Sequence, residues 1–427
     1  MHDIIIVGGG ISGLYLAYLL STKTSKKIML LEKSNRLGGL IDSRFESFQK
    51  GSRQTRKKTQ MTKYEAGGAV VYDHQKHMLR LLKELTIETN KLPFDSEGNH
   101  LKELREEGRA QPLAKSENKR YIALLKKVFA FMDKKKETYC RQYTLEQICI
   151  QVVGFQDTRF LEFCYGYAGE FRVASSVVAR KNIENEVFHS KNILFFKNGY
   201  ERVIDRLAEA VQDKVTIHLN KEVIHFNEHK DGHYTVNTKD GHYITRQLVF
   251  MVPQQVLAKM DRSFHPEEIT KLNCVEPISL CRVFHKYNVQ KGENKWVEKV
   301  KYATVNNALR QVIPANKKKG LLQISYSDWY FADFWGKLND KQSKKLTQSL
   351  VKETYPNAKI KPPTWTKTHY WKGAIHFWKP NCNERSLYNS ITHMRKNLFI
   401  GGESFSLNQG WCEGAIQTSE KIFKLLE

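Results

Sequence analysis

An α/β fold is predicted, with a Rossmann-like nucleotide-binding domain interleaved with an α+β domain, and three observations predict it. The first residues alternate strand, glycine turn, helix and strand. Strand-like segments return much later, between Val215 and Val252 and again at 397–400, where they would rejoin a sheet begun at the N-terminus. The stretches between them carry helical and mixed patterns that suit a second domain.

In chain order, Asp3–Val7 reads as a strand, Ile11–Leu20 as a helix with apolar residues at helical spacing, and Ile28–Leu31 as the next strand, which is one βαβ unit. The run Gln49–Lys63 is polar, basic and glycine-containing, so it reads as a surface loop leading to Tyr64-Glu65-Ala66-Gly67-Gly68. From His77 to Arg180 the pattern is mainly helical, as in Met78–Leu85, Tyr121–Met132 and Thr144–Val153. Gly199–Val211 is an amphipathic helix. Val215–Leu219, Glu222–Phe226, Tyr234–Thr238 and Leu248–Val252 are strands, with Lys239-Asp240-Gly241 turning a hairpin. The segment 278–376 is mixed and aromatic-rich, with Leu321–Tyr326 strand-like and Asp340–Tyr355 helical. A strand at Asn397–Ile400, two glycines and a helix from Gly410 to Leu425 close the chain. The simplest division gives nucleotide-domain parts at 1–76, 191–272 and 385–427, and second-domain parts at 77–190 (mainly helical) and 273–384.

With 427 residues, 41% hydrophobic and 11% aromatic, the chain can fill a sizeable core. No run of about 18 apolar residues occurs, and Met1-His2-Asp3 enters a strand without a charged leader or cleavage site, so the expectation is a cytoplasmic protein with no membrane span. The 7 cysteines are scattered without metal spacing, which suits free thiols and no metal site. The net charge of +24 gathers locally at Arg53–Lys63, Lys126–Lys136 and Lys317–Lys319. It reads either as solvated lysine-rich faces or as contact with a polyanion such as nucleic acid, for which no motif is present.

Gly8-x-Gly10-x-x-Gly13 follows the first strand and opens the first helix, and Glu32 ends the second strand. Gly8 permits the tight turn, Gly10 lets backbone approach a pyrophosphate, Gly13 allows close helix packing, and the helix N-terminus offers free N–H groups to phosphate. Gly8, Gly10, Ser12 and Gly13 are therefore candidate cofactor contacts, and Glu32 can accept hydrogen bonds from ribose hydroxyls. Further on stand Arg36-Leu37-Gly38-Gly39, then Glu65-Ala66-Gly67-Gly68-Ala69-Val70, then Gly401-Gly402-Glu403 followed by Gly410-Trp411-Cys412-Glu413-Gly414-Ala415.

These runs, anchored at both ends and the middle of the chain, resemble the flavin-containing amine oxidase superfamily, which includes monoamine and polyamine oxidases. The resemblance is specific at the nucleotide domain and weak over 80–190 and 280–370. It implies a glutathione-reductase-type FAD-binding domain with an α+β substrate domain above the flavin, and FAD held noncovalently. It implies Glu32 on the adenosine ribose, Gly38 and Gly39 beside the pyrophosphate, and Gly68, Ala69 and Val70 lining the flavin. Val223 matches the position that meets adenine, and Glu403 the acid near the ribityl and pyrophosphate. Trp411 to Ala415 match the helix start beneath the ring, where N–H groups would stabilise negative charge on reduced flavin. Arg36 is open to either a structural ion pair or a cofactor contact.

The sequence also departs from that family. Leu40 stands where many members carry an arginine reaching the FAD phosphates, and Leu280 falls where many carry a lysine near flavin N5. Trp411 is the expected wall of an aromatic substrate cavity. A second wall would come from Trp371–Trp378, where Ile375 takes the usual aromatic position and His376 and Trp378 are neighbours, each open to core packing instead. Cys382 is the one cysteine near the position used for covalent attachment. The expected reaction is hydride transfer from a small-molecule substrate, from a C–H α to an amine nitrogen, to flavin N5, with oxygen as acceptor. A desaturase or porphyrinogen-oxidase-like enzyme is the rival within the class, and a weakly catalytic flavoprotein binding a polyanion the rival outside it.

Overall fold

The computed structural model describes residues 1–50, 58–93, 103–109 and 111–427. At its centre lies a seven-stranded sheet that joins both ends of the chain. Leu398–Ile400, the end of Gly241–Phe250, His2–Val7, Ile28–Leu31 and Val215–His218 lie side by side in parallel. The near end of Gly241–Phe250 instead continues antiparallel into Tyr234–Thr238 and then Val223–Glu228. The two-residue period of a strand sorts the apolar side chains onto opposite faces. Ile4, Ile6, Ile28, Leu30 and Val249 pack with the helices Ile11–Lys23, Arg202–Val211 and Cys412–Leu426. Ile5, Val7, Met29, Leu248 and Phe250 pack on the other side with Phe226, Tyr234 and Val236. Strands buried on both faces read as unbroken apolar runs, which is why Ile4-Ile5-Ile6-Val7 was legible.

A second, six-stranded sheet runs in the order Trp365–Trp378, Val275–Lys286, Leu321–Asp328, Gln311–Asn316, Ala303–Val305 and Glu103–Arg105. The helices Ser116–Asp133 and Leu145–Tyr165 accompany it. Thr144 starts the latter through a reciprocal capping box with Gln147, and Gly166 ends it at φ +91°, with Thr304 and Gln311 packed close to it. The flanking Tyr167 meets Tyr326 of this sheet edge-on.

The mixed α/β architecture is as the sequence predicts, with one correction at Gln49–Lys63. The residues 58–63 belong to a strand, Lys58–Glu65, paired antiparallel with Ser43–Lys50, while 51–57 lie outside the described residues. The polar composition of this hairpin disguised it, and two of its few apolar residues, Phe45 and Met61, are exposed. Two short strands, Thr89–Pro93 and Glu103–Arg105, likewise interrupt the mainly helical stretch. Among the described residues no helix is long and apolar enough to cross a membrane.

Candidate functional site

The first strand ends at Gly8, whose φ of +110° and close approach to the Met251 carbonyl leave no room for a side chain. A Cβ on Gly13 would fall 1.9 Å from the Gly8 carbonyl oxygen, so this glycine lets the helix lie against the strand. Gly10 differs, because a Cβ there would meet nothing within 4 Å. It faces open space at the N-terminus of Ile11–Lys23, a helix without a side-chain cap. Gly38 bridges to Gly10, and its N–H donates to the Gly9 carbonyl at 2.8 Å.

Glu32 is buried, with Oε2 accepting from Gly9 N at 2.7 Å and Oε1 from Ser34 N and Oγ at 2.8 and 2.7 Å. Oε2 keeps a further lone pair for a hydroxyl, whereas Oε1 already accepts two hydrogen bonds. Its carbonyl accepts from Lys221 N at 2.8 Å, which brings Val223 to the same end of the sheet. Arg36 forms no ion pair among the described residues. Its Nη1 donates to the carbonyls of Leu37 and Ile41, and its Nη2 to that of Gly39, so it braces the Gly38-Gly39 loop from within. Leu40 places its carbonyl 2.9 Å from Gly68 N, tying this loop to the second glycine motif. An uncapped helix N-terminus, open space over Gly10 and a carboxylate at the neighbouring strand end fit a dinucleotide's pyrophosphate and ribose.

The residues expected at the ring end are Gly68, Ala69, Val70, Trp411 and Ala415. Gly68 lies against Tyr200, which shares a core cluster with Ala415. Val70 opens a short strand ending at Tyr72, and the Trp411 ring meets Tyr72 edge-on at 4.9 Å. Trp411 is half-buried, precedes helix Cys412–Leu426, and borders a cavity of about 320 Å³ shared with His74, Asn182, His189 and Asn408. Gly402, at φ +98°, sits near Ser12 Oγ, so the closing motif stands beside the opening one.

His376 and Trp378 are not on this face. His376 is 1% exposed, with Nδ1 2.7 Å from Glu403 Oε2 and Nε2 2.9 Å from Gln255 Oε1. Trp378 is fully buried, donating its indole N–H to the Ser406 carbonyl at 2.9 Å. Ile375 is paired with Ile278 inside the sheet. Leu280 is buried opposite Trp371, whose indole N–H donates to Ala66 O at 2.8 Å.

Sequence reasoning missed a group behind Tyr72. Tyr165 Oη stands between Glu170 and Glu186, and Glu170 also accepts from Asn182 Nδ2 at 2.9 Å. Tyr167 meets Tyr326 edge-on at 5.5 Å, and the Arg282 guanidinium lies 4.4 Å from the Tyr326 centroid. Burial pushes the phenols of Tyr72, Tyr165 and Tyr167 well above their ordinary range, so they act as hydrogen donors. The cue was the run Tyr165-Gly166-Tyr167-Ala168-Gly169-Glu170, polar and aromatic where a helix ends.

The description flavin containing amine oxidoreductase matches residues 11–421. The protein R188 of Acanthamoeba polyphaga mimivirus is 21% identical, covering 98% of this chain and 92% of that one. The (S)-6-hydroxynicotine oxidase of Paenarthrobacter nicotinovorans is 45% identical over 85 residues, 20% of this chain and 17% of that enzyme. A crystal structure from Exiguobacterium sp. 255-15, assigned provisionally as a protoporphyrinogen oxidase, superposes with a TM-score of 0.70 at 14% identity. It covers 99% of this chain and 98% of that one.

Proposed function

This chain belongs to the flavin containing amine oxidoreductases and is an FAD-dependent oxidoreductase. From that premise we propose that it oxidises a small molecule at a C–H α to an amine nitrogen, holds FAD noncovalently and uses oxygen as acceptor. The observation that carries this reading is the edge-on pair of Trp411 and Tyr72 at 4.9 Å, set between the glycine motif Gly67-Gly68 and the helix that follows Glu403. When bound, the flavin supplies a hydride acceptor at N5.

The chain's own residues do the rest. Gly10 and Ser12 present backbone to the pyrophosphate, Gly8 and Gly13 shape the turn and the helix approach that put them there, Gly38 and Gly39 lie beside it, and Glu32 takes the ribose and Val223 the adenine. Gly68, Ala69 and Val70 border the ring, and the uncapped start of Cys412–Leu426 faces it with N–H groups that favour negative charge. Trp411 and Tyr72 exclude water and orient a neutral amine, a role that needs little acid–base apparatus. His376 has both ring nitrogens engaged, so its part is to hold Glu403, and Glu403 in turn accepts from Gly410 N at 2.6 Å. Trp378 serves packing. Cys382 lies beside Cys274, in a turn past the far end of the strand carrying Trp371, which supports noncovalent FAD.

Leu280 in place of a lysine favours a second reading, a desaturase or porphyrinogen-oxidase-like enzyme. Anaerobic bleaching of the flavin spectrum against amines, polyamines, porphyrinogens and polyenes separates the two. Bleaching by an amine is expected. Bleaching by porphyrinogens or polyenes, with none by amines, replaces the first reading by the second.

A further inference from the structure

Arg282 stands on the strand Val275–Lys286 and is 8% exposed. Its Nη1 donates to the Glu65 carbonyl at 3.4 Å and to Gln323 Oε1 at 3.3 Å, both long contacts. Among the described residues the guanidinium has no other hydrogen-bond acceptor and no carboxylate within ion-pair distance. The acids of this region are engaged elsewhere: Glu65 with Ser43 and Lys63, Asp328 with the N–H groups of Ala168 and Gly169, and Glu170 and Glu186 at Tyr165. Next to Arg282, the Nε2 of Gln323 is buried without a partner, and Gln323 is 4% exposed. A guanidinium withdrawn from water without a counter-charge is costly, and here a second orphaned donor stands beside it.

We infer that Arg282, with Gln323, anchors a carboxylate of the substrate beside the Glu65–Gly68 loop, so that the amine oxidised here also carries an acid group. The inference rests on the flavin-site reading above, which puts that loop along the ring. The guanidinium and the unpartnered Gln323 Nε2 are both donors, and the planar fork of arginine matches the two oxygens of a carboxylate. The same fixed positive charge disfavours substrates that carry only further cations.

The test uses FAD-loaded protein titrated with benzoate, and with neutral benzamide as the uncharged control. The flavin difference spectrum and the melting temperature are followed. Benzoate is expected to perturb the flavin band and raise the melting temperature, and benzamide to do neither. Arg282→Met should weaken benzoate binding roughly 10–100-fold, and Arg282→Lys less, with FAD content unchanged in both. Equal responses to benzoate and benzamide, or benzoate binding unchanged in Arg282→Met, overturn the inference. So does loss of FAD from both variants, which would put the guanidinium on the cofactor. If Arg282→Met does not fold, the benzoate and benzamide contrast and the Arg282→Lys titration still decide. A protein that takes up no FAD fails the flavin reading; a yellow protein indifferent to benzoate fails only this inference.

Discussion

Nδ1 of His376 lies 2.7 Å from Oε2 of Glu403, and this contact ties the strand Trp365–Trp378 to the turn that follows Leu398–Ile400. The other carboxylate oxygen accepts from His376 N at 3.1 Å and Gly410 N at 2.6 Å, so one side chain holds both segments. Glu403→Ala strands several donors at a cost of roughly 1–3 kcal/mol each, and the melting temperature should fall by several degrees with loss of FAD. His376→Gln should also lower the melting temperature, yet leave the pH profile of flavin bleaching unchanged. A shifted profile at unchanged stability would make His376 a proton acceptor instead.

Glu32→Ala is expected to weaken FAD binding by roughly two to four powers of ten, the worth of two charge-assisted hydrogen bonds to a ribose. It also removes the acceptor for Gly9 N and Ser34 N, so the turn before the helix should loosen. Titration of apo-protein with FAD measures the first effect and thermal unfolding without FAD the second. Unchanged FAD affinity in a folded Glu32→Ala protein would remove Glu32 from the ribose.

The nucleotide end was legible because its constraints are local. Gly8, Gly13 and Glu32 are dictated by a turn, a close approach and a strand end within one βαβ unit, and the sequence spacing alone exposes them. The ring end was half legible, since Trp411 follows a motif but its partner Tyr72 is distant in sequence and is brought there by the pairing of Val70–Tyr72 with Asn192–Phe196. Arg282 was hidden by register. The expected lysine position held Leu280, and the pairing of that strand is irregular between Ile278 and Leu280, so spacing alone does not single out Arg282, two residues on, as the residue that reaches the Glu65 carbonyl. His376 and Trp378 looked equally available in sequence, and only their burial partners separate them from a cavity wall.

A buried imidazole and a half-buried one set an acid limit on stability. His285, with Nδ1 2.8 Å from Tyr287 Oη and Nε2 2.8 Å from Thr347 Oγ1, is pushed down to about 3 by burial, and His369 to about 4, also by burial. The unfolded chain takes up these protons near the ordinary value of about 6.5 while the folded one refuses them, so stability falls as pH drops from about 6.5 toward 4. The slope is about 1.4 kcal/mol per pH unit for each fully differing histidine. Above pH 7 neither contributes. His285→Gln should be less stable than wild type at pH 7 but lose less on going to pH 5, as read from urea midpoints. An equal loss in both proteins would show that His285 is not the group responsible.

Trp411 offers the sharpest test of where the chemistry sits. Its ring packs edge-on against Tyr72 and borders the cavity beside His74 and Asn408, whereas Gly10 and Glu32 do not line that cavity. If it is a wall of the substrate cavity, Trp411→Ala should leave FAD bound. It should nevertheless slow reductive bleaching on the order of tenfold to a hundredfold, because an opened wall admits water and loosens the reacting geometry. A purely structural role predicts the reverse order of losses. Truncating a packed tryptophan costs about 3–5 kcal/mol, so unfolding or cofactor release would come first, before any change in rate per bound flavin. Melting temperature, FAD content and single-turnover reduction, measured on one preparation, separate the two. A variant that stays folded and flavin-loaded and is reduced at the wild-type rate by its best substrate would move the substrate away from Trp411.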